Sequence, residues 1–223
     1  MKYQGLPRVV QVLLWIAFAA AVGALFYGSL PSAVASIFHL ADVEPEKIPW
    51  MTSRITAFLS YGALAASSIY GLAMTTKTLD VIARRVVTDT LHENLSFWGL
   101  ILGATHAFLL LFDNYIQFTW ESILIPLAAP YRPDAVAYGV VALYLTALLV
   151  LTSKARRWIG LRVWRAIHLL AFAAFGLLTA HGLAAGTDSG AVWAKATYIG
   201  SVTLVVFFFT VRLLQKITGA NRR

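Results

Sequence analysis

Residues 91–108 read LHENLSFWGLILGATHAF, and residues 164–182 read WRAIHLLAFAAFGLLTAHG. A helix needs about 20 mainly apolar residues to cross a hydrocarbon core about 30 Å thick. Each stretch supplies most of one such span. Each also holds two histidines, His92 with His106 and His168 with His181. Ionisable groups are costly inside a bilayer, so four of them in two helices require a reason. At 1.5 Å per residue, the 14 residues between His92 and His106 rise by about 21 Å, and the 13 between His168 and His181 by about 19.5 Å. Both rises fit within the bilayer and place one histidine towards each side.

Four further apolar stretches lie outside these two. The spans expected are 9–28, 55–74, 95–112 (extending back towards Leu91), 135–152, 166–187 and 192–211. The whole chain, 1–223, then forms a single all-α domain, a bundle of six transmembrane helices. Composition agrees: 59% of the 223 residues are hydrophobic, 13% are charged, and the mean hydropathy is +0.73. A soluble domain carries about 25% charged residues. The net charge of +8 is therefore not read as a nucleic-acid surface. With the N-terminus inside, 14 of the 18 basic residues fall on inner segments and seven of the ten acids on outer ones. The positive-inside rule then places both termini in the cytoplasm of a multi-pass protein of the plasma (inner) membrane. Residues 9–28 are longer than the apolar run of a signal peptide, so a retained first helix is expected. Most prolines lie in the two long outer loops, and Trp15, Trp50, Trp120, Trp158, Trp164 and Trp193 suit interface anchors.

With even span numbers running outwards to inwards, spans three and five are parallel. His92 then stands at the height of His168, and His106 at that of His181. Two flat ligands, each held from both faces, would sit one above the other, and haem b fits because imidazoles bind its iron axially. Gly99 lies seven residues from each histidine of the third span, on the same face, and with Gly103 makes a GxxxG pattern suited to close packing. Thirteen residues turn an ideal helix about 140° off its starting face, so tilt, a local distortion near Gly176 or different approach angles must make up the difference in the fifth span. Phe175, Phe97 and Trp98 fall between the two levels. Arg84, Arg85, Arg162 and Arg165 on the inner side, and Arg54 and Arg132 on the outer, serve topology and are candidates for pairing with haem propionates. Thr105 and Thr179 are candidate acceptors for the histidine Nδ1 atoms. His39 lies in an outer loop beside acids and reads as solvated. Each feature also has a plainer reading: histidines as helix contacts, glycines as packing, Phe175 as core.

Other chemistry is missing. There are no cysteines, hence no disulfide, iron–sulfur cluster or thiolate site. No strand-linked GxGxxG, P-loop, HExxH or GxSxG occurs, so no flavin or nicotinamide site and no catalytic residue is expected on this chain.

The two-histidine third and fifth spans, their spacings of 14 and 13, and the six-span count resemble the ferric reductase-like transmembrane domain, the haem core shared by ferric reductases and NADPH oxidases. The resemblance covers nearly the whole chain and is strongest over 92–106 and 162–188. It implies a six-helix bundle with two b haems stacked across the membrane, His92 and His168 on the inner haem iron and His106 and His181 on the outer. It further implies outward electron transfer to an iron chelate, oxygen or a periplasmic redox protein. The oxidases' C-terminal FAD and NADPH modules are not in this chain. It is thus closer to short bacterial members, among them the haem-binding membrane subunit of the methionine sulfoxide reductase system. A separate cytoplasmic flavin reductase or flavoprotein is the implied donor, docked on basic loops at 77–85 and 154–165. Two rivals stay open: a quinol-linked cytochrome b subunit, and a transporter whose histidines bind a non-haem metal or a proton.

Overall fold

The computed structural model describes residues 44–76 and 85–218. Two compact units divide the chain, 1–48 and 49–223. Of the first, the described part is a 3-10 turn at Pro45–Lys47, closed by an ion pair from Lys47 Nζ to Glu44 at 2.7 Å. The expected span 9–28, His39, Trp15, Arg84 and both termini lie outside the described residues.

All regular structure among the described residues is helical. The elements are α1 (Ile48–Thr75), α2 (Arg85–Leu109, extended by a 3-10 turn at Leu110–Phe112), α3 (Trp120–Leu124), α4 (Pro133–Lys154), α5 (Arg156–Ile159), α6 (Leu161–His168), α7 (Ala171–Ala185) and α8 (Val192–Thr218). Five stretches are long and apolar enough to cross a membrane: Pro45–Thr75, Val87–Phe112, Pro133–Lys154, Leu161–Ala185 and Val192–Thr218. This is the architecture of a multi-pass membrane protein, and it matches five of the six expected spans.

The local signals are legible. Pro133 opens α4, where a missing N–H costs nothing. Thr119 and Ser122 form a capping box that starts α3. Gly160, at φ +80°, turns the chain between α5 and α6. The helices bury small and polar faces and expose large apolar ones. On α8 the buried stripe is Ala194, Tyr198, Ser201 and Val205, while Ile199, Val206 and Phe207 face outwards. On α1 the buried face includes Ser53, Thr56, Ser60 and Ser67. Lipid offers no hydrophobic incentive to bury large side chains, so helix contacts are built from small residues and hydrogen bonds.

The second expected span, 55–74, starts earlier than its charge pattern implied. Arg54 lies inside α1 because Asp188 neutralises it. The fifth span is broken, though not at Gly176. The break falls between α6 and α7, where Leu170 N–H donates to Ile167 O (2.9 Å) and Phe172 N–H to Leu169 O (3.3 Å). These are i→i−3 bonds, and such a turn advances about 120° per residue instead of about 100°. Each residue wound in this way adds only about 20°, so this short turn recovers a part, under half, of the roughly 140° by which the histidine spacing departs from one face.

The core of the second unit joins α1, α7 and α8 through Tyr61, Ala65, Leu72, Phe175, Ala194, Tyr198 and Val205. Helix α7 packs along α4, and α2 also touches α4. A smaller cluster of Phe118, Ile123, Ala129, Val136 and Val140 seats the loop after α2 on the start of α4.

Candidate functional site

The four span histidines meet in two pairs. The ring centres of His92 and His168 are 6.1 Å apart, and those of His106 and His181 are 6.2 Å apart. All four residues are half-buried.

What holds each ring decides its chemistry. His106 Nδ1 lies 2.9 Å from the carbonyl oxygen of Ser53. His92 Nδ1 lies 2.9 Å from that of Ser67. His181 Nδ1 lies 2.8 Å from that of Ala135. A carbonyl only accepts, so in each case Nδ1 carries the proton and donates. The neutral ring then keeps its lone pair on Nε2, the state required of a metal ligand. The fourth histidine differs. His168 Nδ1 is buried without a hydrogen-bond partner among the described residues. Its ring instead lies stacked on Trp164 (centroids 4.8 Å apart, planes 26° apart), and Trp164 Nε1 donates to Ser153 Oγ at 3.2 Å.

Two glycines stand behind the rings. A Cβ on Gly139 would be 2.7 Å from His181 Nδ1, and one on Gly71 would be 3.0 Å from His92 Cε1. Between His106 and His181 opens a cavity of about 260 Å³, whose walls include Leu64, Gly99, Leu100, Gly103 and Leu143.

These features fit a haem. Imidazole nitrogens bind a metal at about 2.0–2.1 Å, so two rings on opposite faces of one ion have centres about 6 Å apart. The donor set is two nitrogens per level. Among the described residues no group of three His, Cys, Asp or Glu side chains gathers to hold a bare ion. A tetrahedral zinc site needs about four ligands.

The remaining expected residues divide. Gly99 and Gly103 line the cavity and also admit α1: a Cβ on Gly99 would strike Leu64, and one on Gly103 would come within 3.0 Å of Ser60 Oγ. Phe175 is buried, its ring stacked on Tyr61 with centroids 6.3 Å apart. Phe97 and Trp98 meet edge to face. Arg54 lines the cavity, but its guanidinium is forked onto Asp188, Nε to Oδ2 at 2.8 Å and Nη2 to Oδ1. Arg132 donates to Ala184 O. Arg162 and Arg165 are exposed on α6. Arg85 begins α2, and its side chain lies outside the described residues, as does Arg84.

The expectation for Thr105 and Thr179 is corrected. Thr105 Oγ1 donates to Ile101 O and Thr179 Oγ1 to Phe175 O, both at 2.9 Å within their own helices. The Nδ1 acceptors come from neighbouring helices instead. Sequence reasoning also missed Ser53, Ser67, Gly71, Gly139 and the Arg54–Asp188 pair. One signal was available: Ser53 and Ser67 are 14 residues apart, the same interval as His92 and His106.

No protein-family model, curated protein or solved structure matches this chain. Its functional reading therefore stands on the site itself.

Proposed function

We propose that the protein is a dihaem b-type membrane cytochrome of the ferric reductase-like kind. It would pass electrons from a cytoplasmic donor, a separate flavoprotein, across the plasma (inner) membrane to an outer-side acceptor such as an iron chelate, oxygen or a periplasmic redox protein. The observation that carries this is the pairing itself: two histidine pairs with ring centres 6.1 and 6.2 Å apart, three of the four rings held with Nε2 free to ligate.

His92 and His168 would hold the inner haem, and His106 and His181 the outer. Each haem, when bound, supplies a one-electron iron couple. The chain's own part is to hold four imidazoles in two pairs, three of them fixed in one tautomer by an Nδ1 acceptor, and to exclude water with apolar walls, thereby setting the potentials. Both termini belong in the cytoplasm on this reading. The basic residues of 154–165 and Arg212 then face the donor and favour an acidic partner surface.

The test is the haem-to-protein ratio of the purified protein, measured as the pyridine haemochrome. Two b haems per chain are expected, both six-coordinate and low-spin. His92→Ala and His106→Ala should each remove a different one. A protein without a Soret band after haem-replete expression would overturn the proposal and favour a transporter reading. Haem reduction by a quinol analogue, with no flavoprotein present, would move the donor from flavin to quinol.

A further inference from the structure

Helix α1 faces α2 through three serines at seven-residue intervals. Ser53 Oγ donates to His106 O at 3.1 Å, Ser60 Oγ to Gly99 O at 2.7 Å, and Ser67 Oγ to His92 O at 3.1 Å. The steps match in the two antiparallel chains: 53, 60, 67 against 106, 99, 92. A seven-residue step returns to within about 20° of the same helix face, so one register brings all three serines onto α2.

At the two ends of this ladder the serine does more than join helices. Ser53 Oγ is also 2.9 Å from His106 Nδ1, and Ser67 Oγ is 2.9 Å from His92 Nδ1. Since Nδ1–H must donate to the backbone carbonyl of the same serine, the hydroxyl oxygen faces it as a second acceptor. Each ring thus has two oxygens of one residue on its N–H, with the hydroxyl proton tied back to the histidine's own carbonyl. At the His92 level Ser96 joins in: its Oγ donates to His92 O at 2.8 Å and lies 2.6 Å from Ser67 Oγ, so the single Ser67 proton is shared between Ser96 Oγ and His92 O. His181 has a carbonyl alone, and His168 has neither.

We infer that Ser53 and Ser67 are positioning residues for the α2 histidines, holding ring orientation and ligand strength at each level, whereas Ser60, on the cavity wall between them, bonds no histidine. The inference rests on the dihaem reading. An acceptor on Nδ1–H makes the imidazole a stronger donor and favours the ferric state, so its loss raises the potential of that haem alone.

Ser60 provides the control, because it makes the same interhelical bond with no histidine attached. Redox titration of the full-length protein in detergent should show Ser53→Ala raising the potential of the haem that His106→Ala removes. Ser67→Ala should raise that of the haem His92→Ala removes. Ser60→Ala should leave both potentials in place, and the hydroxyl-retaining Ser53→Thr should restore the native value. Loss of one haem in Ser53→Ala or Ser67→Ala, with both retained in Ser60→Ala, would support the same role. Two haems with unmoved potentials in all three alanine variants would overturn the inference and leave the dihaem reading intact, as would equal shifts in all three. Wild-type protein without haem would overturn both.

Discussion

The imidazole of His181 lies against the backbone of Gly139 so closely that a Cβ there would stand 2.7 Å from Nδ1. The glycine on α4 and the carbonyl of Ala135, one turn earlier, together define where the ring can sit. Gly139→Ala should therefore push the ring off its acceptor and, under the dihaem proposal, reduce haem affinity at that level by about 10–100-fold, the usual size of a loss of ligand support. Gly71→Ala should act in the same direction on the His92 level, and more weakly, because its Cβ would meet Cε1 at 3.0 Å. Gly176→Ala is the control: a Cβ there meets nothing within 4 Å. It should keep both haems and gain about 0.5–1 kcal/mol of helix stability. Haem-to-protein ratios of the three variants check the set.

The paired rings are far from coplanar, at 76° for His92 with His168 and 64° for His106 with His181. Crossed axial imidazoles leave the iron's two π-type d orbitals nearly equal in energy. Low-spin ferric haems held in this way give strongly anisotropic signals with one large g value, rather than the rhombic set of parallel imidazoles. If the protein binds two haems as proposed, low-temperature EPR of its oxidised form should show two such signals. A rhombic signal at either level would mean that the rings rotate on binding, against the hydrogen bonds to Ser53, Ser67 and Ala135.

How far the sequence foretold this depends on which physical rule applied. The pairing of His92 with His168 and of His106 with His181 follows from helix rise, which varies little between helices. The Nδ1 partners did not follow. Every residue offers a carbonyl, so Ala135 and the backbone of Ser53 carry no signature in their identity. The hydroxyls near the histidines in sequence, Thr105 and Thr179, bond within their own helices to residues four back, as Thr side chains readily do. The 13-residue spacing left tilt, a distortion near Gly176 or different approach angles as alternatives, and the break lies instead just after His168. Leu169 and Leu170, where it occurs, have no breaker residue to announce it.

The Arg54–Asp188 fork is the second membrane-level device to test. Its side chains are 32% and 19% exposed, between a surface pair and a buried one. Breaking a buried pair from one side costs about 3–5 kcal/mol and a surface pair about 0–1, which places Arg54→Gln or Asp188→Asn at about 1–3 kcal/mol. The double variant should cost less than the two singles together, because neither charge is then left alone. Thermal unfolding in detergent measures the cycle. Arg54 also lines the cavity beside His106 and His181, so if the dihaem proposal holds, Arg54→Gln should in addition alter a haem bound at that level while leaving one bound at the His92 level unchanged.

Tyr61 lines the cavity with its ring and ties the core together with its hydroxyl, so Tyr61→Phe, which keeps the ring, tests the hydroxyl alone. Its hydroxyl lies 2.6 Å from Ser201 Oγ and 3.2 Å from Thr179 Oγ1, tying α1 to α8 and α7. Its ring meets Tyr198 edge to face at 4.7 Å. In Tyr61→Phe neither partner is orphaned: Ser201 Oγ still donates to Tyr198 O and Thr179 Oγ1 to Phe175 O. The cost should be that of an ordinary hydrogen bond, about 1 kcal/mol. Tyr61→Ala would empty a well-packed site and should cost about 3–5 kcal/mol, as large aromatic truncations do. Neither change touches a histidine or its acceptor. Tyr61→Phe should therefore bind two haems with native EPR signals despite a lower unfolding temperature. A loss of haem in Tyr61→Phe would mean that the two levels are held by the α1–α7–α8 core as much as by the hydrogen bonds on the rings.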